Sequence, residues 1–194
     1  MLYMTPWGAV SWRHWMRFLR DSIMRKYVRK TEQEVLKTYK KVNPSALPIE
    51  KDRKEYTLKR AATEALFLYR LHFPPKLFYN ADVLEFGTGT GEHSLSYLEW
   101  GANCTFVENN DLACARAEKI FQLFAPQGSK YTIHNKSLFD FHTDKTYDIT
   151  ISRGVLHHTG DIEQAFARQV AHLKAGGFTI LGIGNAAGYF QRNL

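Results

Sequence analysis

The spacing of apolar positions changes near residue 80, and the change divides the chain. Before it, apolar residues recur every three or four positions. Trp12, Trp15, Met16, Leu19, Ile23 and Tyr27 form one such stripe, with Arg13, Arg17, Arg20 and Lys26 between them. This spacing predicts an amphipathic helix that Ser11 can cap. Thr31 followed by Glu34 has the form of a capping box, in which each side chain satisfies the other residue's free backbone amide, and predicts a second helix ending before Asn43-Pro44. A third helical pattern opens at Asp52 and runs to about His72, where Phe73-Pro74-Pro75 stops it.

Beyond residue 80, short strand-like runs alternate with helical ones. Strands are expected at 82–86, 103–107, 130–134, 147–152 and 178–183. Helices are expected at 92–100, at 111–124 and after Asp161, with Gly101 closing the first and Gly176-Gly177 preceding the last strand. Strands separated by helices predict an α/β fold: a Rossmann-like, mostly parallel, doubly wound sheet, here with an N-terminal helical extension. The expected division is 1–76 for the extension and 77–194 for the sheet domain. Ligands of such sheets sit beyond the C-terminal strand ends.

Composition narrows the class. With 194 residues, 44% hydrophobic and 23% charged, the chain can bury one sizeable core. No run approaches the roughly 18 apolar residues of a membrane span, and arginines occupy the region where an export signal would be apolar, so a cytoplasmic protein is expected. Cys104 and Cys114 lack metal-ligand spacing, and no metal site is expected. The net charge of +7 is uneven. Residues 1–60 hold 15 Lys/Arg against 6 Asp/Glu, a balance of +9, and the remaining 11 and 13 give −2. Basic character therefore belongs to the N-terminal third.

The candidate chemistry lies at the end of the first strand. VLEFGTGTG places Gly87, Gly89 and Gly91 where strand gives way to helix, and glycine there lets backbone approach a ligand. Glu108 ends the second strand, 21 residues after Gly87, where a carboxylate can accept hydrogen bonds from ribose hydroxyls. Loop and carboxylate together describe a nucleoside-containing cofactor. The dinucleotide pattern is Gly-x-Gly-x-x-Gly, and here the third glycine comes one position early.

The ordered set VLEFGTGTG, FVENN, YDITISRGVLHH and LKAGGFTIL resembles the class I S-adenosylmethionine-dependent methyltransferases over about residues 81–184. The resemblance implies that Gly87, Gly89 and Gly91 lie beneath the methionine and ribose part of S-adenosylmethionine, with Glu85 near its amino end. It implies that Glu108 binds the ribose hydroxyls and that Arg153 belongs to the cofactor site. Ser137 stands where relatives commonly carry an Asp beside the adenine, with Asp140 as a nearby substitute. His157 and His158 follow the fourth strand, where the methyl group would project, as general-base candidates or as pocket lining.

The chain lacks an Asn/Asp-Pro-Pro-aromatic signature of amino-group methylation and a Pro-Cys pair for covalent attack on cytosine, and it shows no specific nucleic-acid motif. A small-molecule or lipid-like acceptor is therefore expected. The alternatives are a non-catalytic cofactor-binding module and a nicotinamide-dependent oxidoreductase. Trp7, Trp12 and Trp15 beside a basic helix allow residues 1–30 either to cover the pocket or to contact a membrane surface. The family's sheet normally continues beyond a fifth strand, so a chain truncated after Leu194 is expected.

Overall fold

A computed structural model describes residues 12–41 and 53–184. Ser11, Trp7, Asn43-Pro44 and Asp52, each given a role above, lie outside the described residues, as does the segment 185–194.

Five parallel strands form one sheet in the order β3-β2-β1-β4-β5. They are β1 (Asp82–Phe86), β2 (Asn103–Glu108), β3 (Lys130–Asn135), β4 (Tyr147–Arg153) and β5 (Leu173–Gly182). The order doubles back at β1, so β1 and β4 are neighbours although two strands separate them in sequence. That reversal opens a crevice above their C-terminal ends.

Side chains alternate across the sheet, and each face has its own core. Val83, Cys104, Phe106, Ile149 and Ile151 point to one face, where they meet α3 (Leu95–Glu99) and α4 (Asp111–Phe124) together with Phe67, Phe73 and Phe78. Leu84, Phe86 and Val107 point to the other, against Leu156, Leu138 and Ala165 of α5 (Ile162–Ala171), and Tyr147 at the start of β4 packs into the same cluster. The expected doubly wound sheet is thus present. On the α5 face, Ser152 Oγ donates to Gln169 Oε1 at 2.7 Å and Gln169 Nε2 donates to Thr179 Oγ1 at 2.7 Å, so the Ser152 hydroxyl is satisfied inside the core.

Several local expectations need correction. The first two predicted helices are a single helix, α1 (Trp12–Lys41). Thr31 does not cap: its hydroxyl donates to the carbonyl of Tyr27 at 3.1 Å, the back-bond of a residue inside a helix. The third predicted helix divides into α2 (Arg53–Ala65) and a π-helical turn, Leu66–Arg70, which rotates Phe67 fully into the core. The helix expected at 92–100 is regular only from Leu95, because Glu92 is drawn aside by the Thr90 hydroxyl and by Arg116 at 3.1 Å. Strand β5 begins at Leu173, which pairs with Tyr147 before the chain bulges over Lys174–Gly177 and re-pairs at Phe178 with Ile149. Gly177 is tightly placed there, since a Cβ would lie 2.8 Å from the Asp148 carbonyl.

Candidate active site

The crevice above β1, β2 and β4 holds a cavity of about 650 Å³, roofed by α1 and α2. Its floor is the glycine loop. Gly87 has φ +74°, and a Cβ on it would fall 2.2 Å from Val155 Cγ2, so neither the backbone nor the neighbouring turn admits a side chain. Gly89 also has positive φ, yet a Cβ there would meet nothing within 4 Å. The floor is therefore open at Gly89, where a ligand can approach the backbone.

Glu108 is tied to this loop. Its Oε2 accepts the Gly89 N–H at 2.8 Å and its Oε1 accepts the Asn110 N–H at 2.8 Å. Burial raises the carboxyl pKa, and these amides oppose the rise. Each oxygen retains a lone pair for a hydroxyl donor from the cavity. The two features that the sequence placed 21 residues apart thus form one wall.

Glu85 lies at the end of β1, 3% exposed, on the face where its neighbours are apolar. It accepts from the Ser94 hydroxyl and from Tyr97 Oη at 3.4 Å. Burial pushes its pKa up to about 7, opposed by nearby Arg153 and by the Ser94 bond. Arg153, at the end of β4, lies over Phe67 with its guanidinium carbon 5.7 Å from the ring centroid. Its Nε is buried and has no acceptor among the described residues, and the same holds for the Thr88 hydroxyl.

His157 and His158 occupy a 3₁₀ turn, Leu156–His158, and both line the cavity. His158 Nε2 pairs with Tyr39 Oη at 3.1 Å, and His157 Nδ1 accepts the Gly184 N–H at 3.3 Å. Burial, and then His157, lower the His158 pKa, which keeps the ring neutral and able to take a proton. Ser137 is buried behind the lining. Its hydroxyl donates to Glu32 Oε1 at 2.6 Å and accepts the Phe139 N–H at 3.2 Å. The carboxylate facing the cavity on this side is accordingly Glu32 of α1, and burial raises its pKa. Asp140 turns outward toward Arg29 at 3.8 Å.

The structure also brings in residues that local patterns did not single out. Glu32 and Tyr39 come from α1, Lys59 from α2, and His93 from the turn after the glycine loop. The sequence signal for Glu32 is its i, i+7 relation to Tyr39, which puts both on one helix face. Among the described residues, no three His, Cys, Asp or Glu side chains converge as metal ligands.

A parallel sheet ordered 3-2-1-4-5, with a glycine loop after its first strand and an acid ending its second, is the Rossmann-like arrangement of nucleoside-cofactor domains, which the class I methyltransferases share. The family model described as a methyltransferase domain matches residues 84–179, and this segment belongs to that family. Solved structures agree on the fold. The DhpI-SAM-HEP complex shares 16% identity at a TM-score of 0.57, over 86% of this chain and 71% of its own. The glycopeptide N-methyltransferase MtfA complexed with S-adenosyl-L-methionine shares 21% at 0.52, over 64% and 56%. Coclaurine N-methyltransferase bound to N-methylheliamine and SAH shares 15% at 0.51, over 62% and 35%. The chain thus spans about a third of the length of the last protein and just over half of MtfA. No curated protein sequence matches the chain significantly.

Proposed function

We propose that the cavity binds S-adenosylmethionine and that the protein transfers its methyl group to a small-molecule or lipid-like acceptor. The observation that carries this reading is the hydrogen bond from Gly89 N–H to Glu108, which makes glycine loop and ribose-binding acid one preformed surface. The residues present fit the cofactor. The volume lies within the usual range of roughly 300–1,000 Å³ for small-molecule sites. The open space over Gly89 admits it, and the unpartnered Thr88 hydroxyl and Arg153 Nε await polar groups.

The cofactor brings an activated methyl on a sulfonium, so the protein's task is alignment, worth as much as about 7–11 kcal/mol, and removal of a proton where the acceptor carries one. In this reading Glu108 holds the ribose hydroxyls and Glu85 faces the amino end. His158 is held neutral and oriented by Tyr39, which suits it to receive the acceptor's proton, with His157 beside it at 4.1 Å between ring centroids. Helix α1 serves as a lid. It is anchored by Glu32 to Ser137, by Tyr39 to His158, and by Lys40 Nζ to Asp111 at 2.6 Å. Val28 seals the lid onto Gly160, where a Cβ would lie 2.8 Å from the Val28 Cα. These anchors favour a covering role for the basic N-terminal segment over attachment to a membrane surface. No described helix is long and apolar enough to cross a membrane.

Calorimetry with S-adenosylhomocysteine tests the reading. Wild type should bind it, and Glu108→Ala should weaken it by about ten- to a hundredfold, the worth of hydrogen bonds to a charged group, while the circular dichroism spectrum stays unchanged. Binding of NAD without S-adenosylhomocysteine would replace this function with a nicotinamide one. Turnover on candidate acceptors separates an enzyme from a binding module.

A further inference from the structure

The 3₁₀ turn after β4 carries two imidazoles with different hydrogen-bonding roles. The turn itself is fixed: His158 N–H donates to the Val155 carbonyl at 2.9 Å, and the Thr159 N–H and hydroxyl both donate to the Leu156 carbonyl, at 3.1 and 2.7 Å. His157 Nδ1 accepts the Gly184 N–H, so its hydrogen is placed on Nε2, which finds no acceptor among the described residues. His158 pairs with Tyr39 Oη through Nε2, and the two rings meet edge to face at 5.7 Å between centroids. In the tautomer that serves as a base, Nε2–H donates to Tyr39, and Nδ1, without a partner among the described residues, carries the lone pair. Both histidines line the cavity, as do Val35 and Leu36 of α1.

The carboxylates that line the cavity are all engaged. Glu32 accepts from Ser137, Glu85 from Ser94 and Tyr97, Glu92 from Thr90 and Arg116, and Glu108 from the Gly89 and Asn110 amides. None of them acts on His158, whose pKa falls through burial and then through His157. An alkylammonium beside the two histidines would therefore be a second cation next to the sulfonium, with no carboxylate to balance it. It also has no lone pair until it loses its proton, which at a pKa of roughly 10 it holds more than about a thousandfold more firmly than an imidazole does. A phenol holds its proton about as firmly, but its oxygen already carries lone pairs and can attack while the proton leaves. An alkanol holds its proton more firmly still, which suits an imidazole base less well. A hydroxyl also matches both rings, since it donates to one and accepts from the other, whereas an ammonium only donates.

We infer that the acceptor presents an aromatic hydroxyl to His157 and His158, so that the reaction is an O-methylation. The inference rests on the functional reading above for the methyl donor. The acceptor oxygen bonds to the methyl carbon as the bond from that carbon to sulfur breaks, the electron pair stays on sulfur, and the hydroxyl proton passes to His158 Nδ1. His157 Nε2–H donates to the same oxygen and so orients the attacking lone pair. Val35 and Leu36 supply an apolar roof for the ring that carries the hydroxyl. Tyr39 acts through His158 and is a positioning residue.

The 194-residue chain is titrated by calorimetry, first with S-adenosylhomocysteine. The saturated complex then receives 4-nitrophenol, nitrobenzene or 4-nitrobenzylamine, which share the ring and differ in the group presented. 4-Nitrophenol should bind about tenfold tighter than nitrobenzene, the effect of hydrogen bonds in a sheltered site, and 4-nitrobenzylamine no tighter than nitrobenzene. His158→Phe should remove the preference for the hydroxyl while leaving S-adenosylhomocysteine affinity unchanged, and Tyr39→Phe should reduce that preference. Where His158→Phe loses the native circular dichroism spectrum, Tyr39→Phe is the deciding variant. The hydroxyl reading is overturned if 4-nitrophenol binds no tighter than nitrobenzene, if its preference is unchanged in the deciding variant, or if 4-nitrobenzylamine binds tightest. If S-adenosylhomocysteine itself does not bind, the methyl-donor reading falls, and the same comparison on the ligand-free chain decides whether the two histidines seat a hydroxyl.

Discussion

A methyl group built on Gly89 meets nothing within 4 Å, whereas one on Gly87 falls 2.2 Å from Val155 Cγ2. Two glycines of one motif therefore do different work, and substitution separates them. Gly87→Ala should destabilise the fold by at least about 2 kcal/mol, from overpacking added to left-handed strain, seen as a lower urea midpoint. Gly89→Ala carries only the strain, about 1 kcal/mol, but projects into the cavity and should reduce affinity for S-adenosylhomocysteine far more than it reduces stability. Glu85 supplies a second test at this scale. Its carboxyl is raised in the folded protein to about 7 from an ordinary 4.5, so the folded state holds the proton more tightly than the unfolded chain. That contribution is complete below about pH 4.5 and is lost as pH rises to about 7. Relative to wild type, Glu85→Gln should therefore gain stability across this interval, by on the order of 3 kcal/mol at most, in thermal melts of the ligand-free proteins at matched pH. A difference that shrinks as pH rises would contradict the burial assigned to this side chain.

At the scale of elements, α1 and the 3₁₀ turn carrying His157 and His158 depend on each other. The turn leads directly into Gly160, where the backbone of Val28 packs too closely for a Cβ. Gly160→Ala should lift α1 from the sheet domain without disturbing the strands. Hydrogen exchange should quicken over residues 26–41 and stay slow in β1 and β4; unchanged protection in α1 would show that the lid does not rely on this contact. Strand β5 is an edge of the described sheet; it presents Leu181, 38% exposed, and is followed directly by Ile183, 45% exposed. Unpaired edges with apolar side chains favour association. Ile183→Lys should thus lower the apparent mass of concentrated samples in light scattering, if wild type shows a concentration-dependent rise.

At the scale of the whole molecule, the alternation of strand and helix was legible because its cause is local. Period-two and period-3.6 apolar spacing follows directly from which face each element buries, and β1 to β4 fall within a residue of the segments predicted for them. The glycine loop and Glu108 were legible for a related reason, since a parallel crossover returns successive strand ends to the same edge of the sheet. The failures share a different cause. Thr31 and Glu34 satisfy the local form of a helix start, but the contacts of Val28, Glu32 and Tyr39 with distant residues hold one helix through that point. The partner of Ser137, Glu32, lies 105 residues away, and the sequence shows the position of Ser137 without that partner.

The sequence by itself thus determined the strand order's raw material, the loop, and the acid opposite it, each set by neighbours a few residues apart or by the regular return of the chain. Tertiary structure decided which helices roof the cavity. It brought Glu32, Tyr39 and Lys59 to a site whose floor they never adjoin in sequence. Packing of whole elements fixes such placements, and no periodicity within a segment records which other segment its face will meet.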